Sequence, residues 1–301
     1  MKEDIMTLFT GSGVAIVTPF NEDYSVNFEK LHALIDWQIT EGTDAIIICG
    51  TTGEASTLND EEHLACIRTA VESANKRVPV IAGTGSNDTQ HGIHLSKEAE
   101  RLGADGLLQV TPYYNKTTQR GLIAHFGAIA NSVNIPIMLY NVPSRTGMNI
   151  EPSTLKELSR FENIVALKEA SGNIGHVINV VAELEGKLDL YSGNDDQILP
   201  LLSLGGKGVV SVVANMLPKE THDIVDHYLN CRLEESLQLQ LSIHKIVTAL
   251  FCETNPIPIK EAMNIMGMDV GPCRLPLYEM DPINKDLLKQ AILDYGLEVK
   301  E

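Results

Sequence analysis

The sequence predicts an α/β protein, a (β/α)8 TIM barrel carrying a C-terminal helical appendage. Three observations lead there. Eight short β-rich runs recur with helix-like text between them, at a spacing that starts near 30 residues, about what a strand, a crossover helix and the next parallel strand need. The runs are almost continuously apolar, as a sheet buried on both faces requires. The first strand-to-helix turn lacks a GxGxxG fingerprint, which favours a closed barrel over an open doubly wound sheet.

The runs follow in order. VAIVTP (14–19) opens the sheet. AIIICG (45–50) ends in GTTGE, with Thr51 and Thr52. VPVIAG (78–83) leads into GTGSND (83–88), on the same rim but without a basic neighbour, which reads as a structural or regulatory loop. GLLQVTP (106–112) delivers Tyr113 and Tyr114, and IPIMLYNVP (135–143) delivers Tyr140 and then Arg145. IVALKEAS (164–171) carries Lys168 at the end of its apolar stretch. LDLYSGN (188–194) ends in SGND, and GVVSVVAN (208–215) closes the ring. The GGKG before it (205–208) resembles a phosphate cradle but precedes its strand, so it belongs at the bottom of the barrel. Beyond residue 219 only helical periodicity remains, and Pro256, Pro258, Pro272 and Pro276 cut it into separate helices. We therefore divide the chain into a barrel (1–219) bearing the chemistry and a packed helical region (220–301). No Ser/Gly/Pro-rich linker suggests a second domain that moves independently.

Composition narrows the function. Of the 301 residues 44% are hydrophobic and 21% charged, which suits a soluble globular protein. The formal net charge of −17 argues against nucleic acid and anionic membrane surfaces as partners. No apolar run reaches the roughly 18 residues of a membrane span, and the N-terminus does not resemble a signal peptide. The five cysteines (Cys49, Cys66, Cys231, Cys252, Cys273) lack CxxC spacing and read as reduced core residues of a cytoplasmic protein. His63, His91, His94 and His125 have no metal-ligand pairing and read as solvated helix-face residues, so no metal is expected.

In such barrels the chemistry sits at the C-terminal ends of the strands. Strand alternation places Lys168, Ala166 and Ile164 on the inner face, with Val165, Leu167 and Glu169 facing the helices. Glu169 then cannot pair directly with the lysine and reads as a structural group that ties down a loop. An apolar cage disfavours the ammonium by several kcal/mol and so favours the neutral amine, the form that attacks a carbonyl to give a Schiff base. Such chemistry requires neither a metal nor another cofactor. Tyr140 is placed either to shuttle protons near this lysine or simply to fill the barrel mouth. Thr51 and Thr52 offer hydroxyls and N–H groups that suit a carboxylate, or form a plain turn. Arg145 suits a second carboxylate, or a surface ion pair.

Together GTTGE, TPYYN, YNVPSRTG, LKEASGN, GGKGVVSVVAN and NPIPIK resemble the dihydrodipicolinate synthase family of pyruvate-dependent class I aldolases, along nearly the whole chain. The resemblance implies condensation of pyruvate with L-aspartate 4-semialdehyde on the diaminopimelate route to lysine. It implies that Lys168 forms the imine, and that Thr51, Tyr140 and Tyr114 relay protons, with Tyr114 reaching into a neighbouring subunit. Thr51 and Thr52 would hold the pyruvate carboxylate and Arg145 that of the semialdehyde, while Gly193 and Val210 line the lysine pocket through their backbones. A homo-oligomer, tetramer rather than dimer, is expected. Ser56, His63, Asn87 and Tyr113 match a lysine feedback pocket. Lysine-inhibited members tend to carry histidine and glutamate where this chain has Asp60 and His91, so weak or absent feedback is expected. N-acetylneuraminate lyases and 2-keto-3-deoxy sugar acid aldolases share the lysine and tyrosine, but Arg145 favours a compact partner with a carboxylate. A barrel that only binds a 2-oxo acid is disfavoured by the lysine, tyrosine and threonine occurring together.

Overall fold

The computed structural model describes residues 7–300. Eight parallel strands close into a barrel in sequence order: β1 Gly11–Ala15, β2 Ala45–Ile48, β3 Val80–Gly83, β4 Gly106–Val110, β5 Ile137–Asn141, β6 Ile164–Glu169, β7 Asp189–Ser192 and β8 Gly208–Ser211. β8 pairs with β1 to complete the ring. Helices α1 (Phe28–Thr40), α2 (Asp60–Ala74), α3 (Thr89–Leu102) and α4 (Gln119–Ala130) alternate with the first strands. The short α5 (Pro143–Thr146) and then α6 (Pro152–Leu158) follow β5. α7 (Ile174–Leu184), α8 (Ile198–Ser203) and α9 (Pro218–Leu229) follow β6, β7 and β8. α9 packs on β1 and β8 and completes the helix layer. α10 (Leu233–Ser242), α11 (His244–Leu250), α12 (Ile257–Ile265) and α13 (Pro282–Tyr295) make up the rest of the tail.

Polar caps set the helix starts. Asn59 accepts from the Glu62 N–H while Glu62 returns a bond to the Asn59 N–H, a reciprocal box that opens α2. Asp88, Thr118 and Asn173 cap α3, α4 and α7 through their side-chain oxygens.

Two hydrophobic layers result. One lies between strands and helices; the other fills the barrel, with Phe9, Ile47, Ile81, Met138 and Tyr191 among its members. Phe9 plugs the lower end and stacks on Tyr191 at 4.5 Å between ring centroids. The Tyr191 hydroxyl donates to the Phe9 carbonyl, so it points down and away from the rim. GGKG also lies at this lower end, where the Gly11 N–H donates to the Lys207 carbonyl.

Alternation holds along β6 except at its start. Ile137 pairs with Ile164 but Met138 pairs with Ala166, so Val165 is a bulged extra residue. Ile164 consequently packs in the outer layer and Val165 in the barrel, the reverse of the strict-alternation expectation. Above the bulge the alternation is as expected. Glu169 faces away from the barrel, accepting from Asn141 Nδ2 at 2.8 Å and from the Ser171 N–H at 2.6 Å, and so ties down the loop after β6.

Two further expectations are corrected. His63 and His125 are buried, because each finds a polar partner inside: His63 Nε2 lies 2.7 Å from the Gly83 carbonyl and His125 Nδ1 2.9 Å from Thr89 Oγ1. Of the free cysteines only Cys49 and Cys66 are buried; Cys231 and Cys252 are exposed and Cys273 is half-buried, outside the strand and inner-helix text.

Candidate active site

The loops after β2, β3, β4 and β5 enclose a cavity of about 400 Å³, within the range for small-molecule sites. Thr51, Tyr140 and Arg145 line it, and so do Ser56, His63, Asn87 and Tyr113, together with Asp60 and His91. Lys168, Thr52, Gly193 and Val210 are not among its lining residues.

Lys168 stands beside Tyr140 because β5 and β6 pair in register at those two residues. Its Nζ lies 4.1 Å from the Tyr140 ring centroid, and the residue is only 6% exposed. Among the described residues it has neither an ion-pair nor a hydrogen-bond partner. Gly193 leaves room for this stem: a Cβ there would stand 3.1 Å from Lys168 Cε and 2.7 Å from Ala170 Cβ. Val210 is buried in the barrel layer with Tyr140 and Ala166.

Thr52 is buried behind Thr51, and its hydroxyl accepts from Asn255 Nδ2 at 3.0 Å. Arg145 is exposed and donates from Nη2 to the Asn255 carbonyl at 3.0 Å. Tyr113 lines the cavity, whereas Tyr114 does not and is 90% exposed.

Electrostatics sort the neighbours. Burial pushes the His63 imidazole below its ordinary range, so it is neutral near pH 7. A carbonyl can only accept, so His63 carries its proton on Nε2. Burial pushes the Asp195 carboxyl up, against the opposing effect of the hydrogen bonds it accepts. Asp195 accepts from the N–H groups of Val212 and Val213.

Three residues escaped the sequence reading of the site: Glu54, Asn255 and Lys260. Lys260 Nζ reaches Glu54 Oε1 at 2.9 Å, the Pro272 carbonyl at 2.6 Å and the Thr18 carbonyl at 3.1 Å. Glu54 Oε2 also accepts from the Arg274 N–H at 2.8 Å. The GTTGE loop is therefore gripped from the helical tail at Thr52 and again at Glu54. The only available signal was the presence of GTTGE and NPIPIK themselves, since contacts more than 200 residues apart leave no periodicity.

A model of the dihydrodipicolinate synthetase family matches residues 8–294. The chain belongs to that family. The 4-hydroxy-tetrahydrodipicolinate synthase of Caldicellulosiruptor bescii is 58% identical over 296 residues, 98% of this chain and 100% of that one. The same-named protein of Acetivibrio thermocellus is 59% identical over 290 residues, 96% of this chain and 98% of that one. Among solved structures, a dihydrodipicolinate synthase from Acinetobacter baumannii complexed with pyruvate is 42% identical. It superposes with a TM-score of 0.94, covering 97% of this chain and 100% of that one. For a member of the dihydrodipicolinate synthetase family, the sugar-acid aldolase and binding-only readings are not favoured.

Proposed function

We propose that this enzyme condenses pyruvate with L-aspartate 4-semialdehyde to give 4-hydroxy-tetrahydrodipicolinate, in the diaminopimelate route to lysine. The observation that carries the mechanism is Lys168, a buried lysine with no ion-pair or hydrogen-bond partner among the described residues, standing 4.1 Å from the ring of Tyr140.

The Lys168 amine adds to the pyruvate ketone and water leaves, giving an iminium. The iminium draws electrons from the methyl carbon, which loses a proton through Tyr140 and Thr51 to give an enamine. The enamine carbon attacks the semialdehyde aldehyde, a carbon–carbon bond forms, and the new alkoxide takes a proton from the same relay. The product's own amino group then adds to the imine carbon, closes the ring and expels the Lys168 amine. Thr51 and Thr52 seat the pyruvate carboxylate, and Arg145 receives the semialdehyde carboxylate as a bidentate partner. Gly193 and Val210 bound the lysine pocket. Tyr114 serves the relay of a neighbouring subunit, which fits its high exposure on its own chain.

That role makes a homo-oligomer part of the reading, tetramer rather than dimer. The exposed α10 residues Leu233, Leu237 and Leu241 supply an apolar face for a second kind of subunit contact. The barrel, whose helix layer α9 completes, carries the chemistry, and the helical region beyond it braces it. Five unpaired cysteines suit a reducing, cytoplasmic setting. Ser56, His63, Asn87 and Tyr113 form a regulatory group that responds weakly or not at all to lysine. Asp60 and His91, which line the same cavity, pair with each other at 3.0 Å.

Pyruvate consumption by the purified protein, with and without the semialdehyde, tests the reaction beside Lys168→Ala. Consumption should need both the aldehyde and Lys168. Borohydride trapping of pyruvate on Lys168 without consumption would keep the Schiff base but overturn the second substrate.

A further inference from the structure

The helical tail reaches the carboxylate-binding threonine through one side chain, and the chemistry of that contact is directional. A threonine hydroxyl has one proton to donate and two lone pairs that accept. The Asn255 amide nitrogen can only donate. Its bond to Thr52 Oγ1, at 3.0 Å, occupies a lone pair and leaves the Thr52 proton to be given elsewhere. Both residues are buried, Asn255 at 5% and Thr52 at 2% exposure, so water does not compete for that contact.

We propose that Asn255 is a positioning residue for the first substrate: it fixes the Thr52 hydroxyl as a donor towards the 2-oxo acid carboxylate. The proposal rests on the reading that Thr51 and Thr52 seat that carboxylate. Asn255 itself touches no reacting atom and acts through Thr52.

The second contact of Asn255 makes the idea separable from general bracing. Arg145 is held by the Asn255 main-chain carbonyl, not by its side chain. A side-chain substitution at 255 therefore alters the Thr52 hydroxyl while the acceptor for Arg145 stays in the chain. The first substrate should feel the change and the second should not.

Asn255→Asp is the sharpest probe, because it keeps shape and replaces the only donor by an acceptor. The carboxylate would draw the Thr52 proton to itself and add negative charge behind a site meant for an anion. The half-saturating pyruvate concentration, read by borohydride trapping on Lys168 without any aldehyde, should rise about tenfold or more. The KM for semialdehyde should stay within about twofold, because its carboxylate is held by Arg145. Asn255→Ala, which removes the donor without adding charge, should raise half-saturation by a smaller factor, about threefold. It covers the case in which the buried acid prevents folding. In a Thr52→Val background, Asn255→Ala should not raise half-saturation further, because the hydroxyl through which Asn255 acts is gone.

If unsubstituted protein traps pyruvate and both Asn255 variants saturate as it does, Asn255 does not orient the donor. The same holds if the Asn255→Ala effect persists undiminished beside Thr52→Val. If the unsubstituted protein traps no pyruvate at all, the Schiff-base reading itself falls and takes this one with it.

Discussion

Removing Lys260 should destabilise the protein more than almost any other single change to a charged residue. The ammonium and the Glu54 carboxylate are both essentially excluded from water, with side-chain exposures of 2% and 0%. Nζ satisfies Glu54 and two main-chain carbonyls, and it lies 4.3 Å from the Phe20 ring centroid. Burial pushes the Lys260 amine below its ordinary range even with Glu54 alongside. The intact pair is therefore no large net gain over a neutral pair of similar shape, whereas half a pair is costly. Lys260→Met leaves Glu54 buried without its ammonium partner, and two carbonyls without the donor they now have, for a loss of about 3–5 kcal/mol. In a chain of this size that corresponds to a fall in Tm of about 5–8 °C. Equilibrium unfolding in guanidinium chloride, with scanning calorimetry beside it, reads the loss directly. Adding Glu54→Gln to Lys260→Met should restore at least half, since no buried charge then remains. A single-variant loss under about 1 kcal/mol, or a double variant worse than the single, would refute the argument.

Three further outcomes are expected. Gly193→Ala places a Cβ against Ala170 and Lys168 Cε; the overpacking should cost about 1–3 kcal/mol of stability. It should also lower kcat by tenfold to about a hundredfold through misplacement of the amine, measured by steady-state kinetics. Titrating L-lysine into the assay should give half-inhibition only above about 1 mM, and strong inhibition would overturn the regulatory reading of Asp60 and His91. Asp44 holds the His222 imidazolium above the ordinary histidine value of 6.5. The folded value exceeds the unfolded one, so the pair's stabilisation is complete below about pH 6.5 and is lost as pH rises through the folded value. Both groups are partly exposed, so His222→Gln should cost no more than about 1 kcal/mol near pH 5.5 and nothing near pH 9, read as denaturation midpoints at each pH.

Much of the architecture was legible because a closed parallel barrel writes itself as apolar runs. Seven of the eight runs contain a whole strand, whereas VAIVTP overlaps β1 only at Val14 and Ala15, because β1 starts and ends earlier. The run's later residues cross the rim instead, where Thr18 Oγ1 donates to the Gly53 carbonyl. Lys168 was conspicuous because an ammonium has no ordinary use at the end of a buried strand. The inversion of Ile164 and Val165 was not legible, since all three residues from Ile164 to Ala166 are apolar and fit either face. His63 and His125 looked like solvent-facing polar residues; their burial depends on Gly83 and Thr89, which lie on other elements. The role inferred for Asn255 had no local sign at all. It follows from a contact across 203 residues of sequence, made only when the tail folds back over the rim.

The bulge at Val165 has a consequence for how this strand can change. Ile164 already occupies the position that strict alternation would give it in a strand one residue shorter, and Ala166 through Glu169 would keep theirs. Val165 is thus a spare, a point of slack between the floor of the barrel and its reacting end. Loss of that residue would shorten β6 without turning Lys168 away from Tyr140 and the barrel interior, whereas loss of a residue above it would swing the lysine out among the helices. Tolerance to deletion should change abruptly within this one strand.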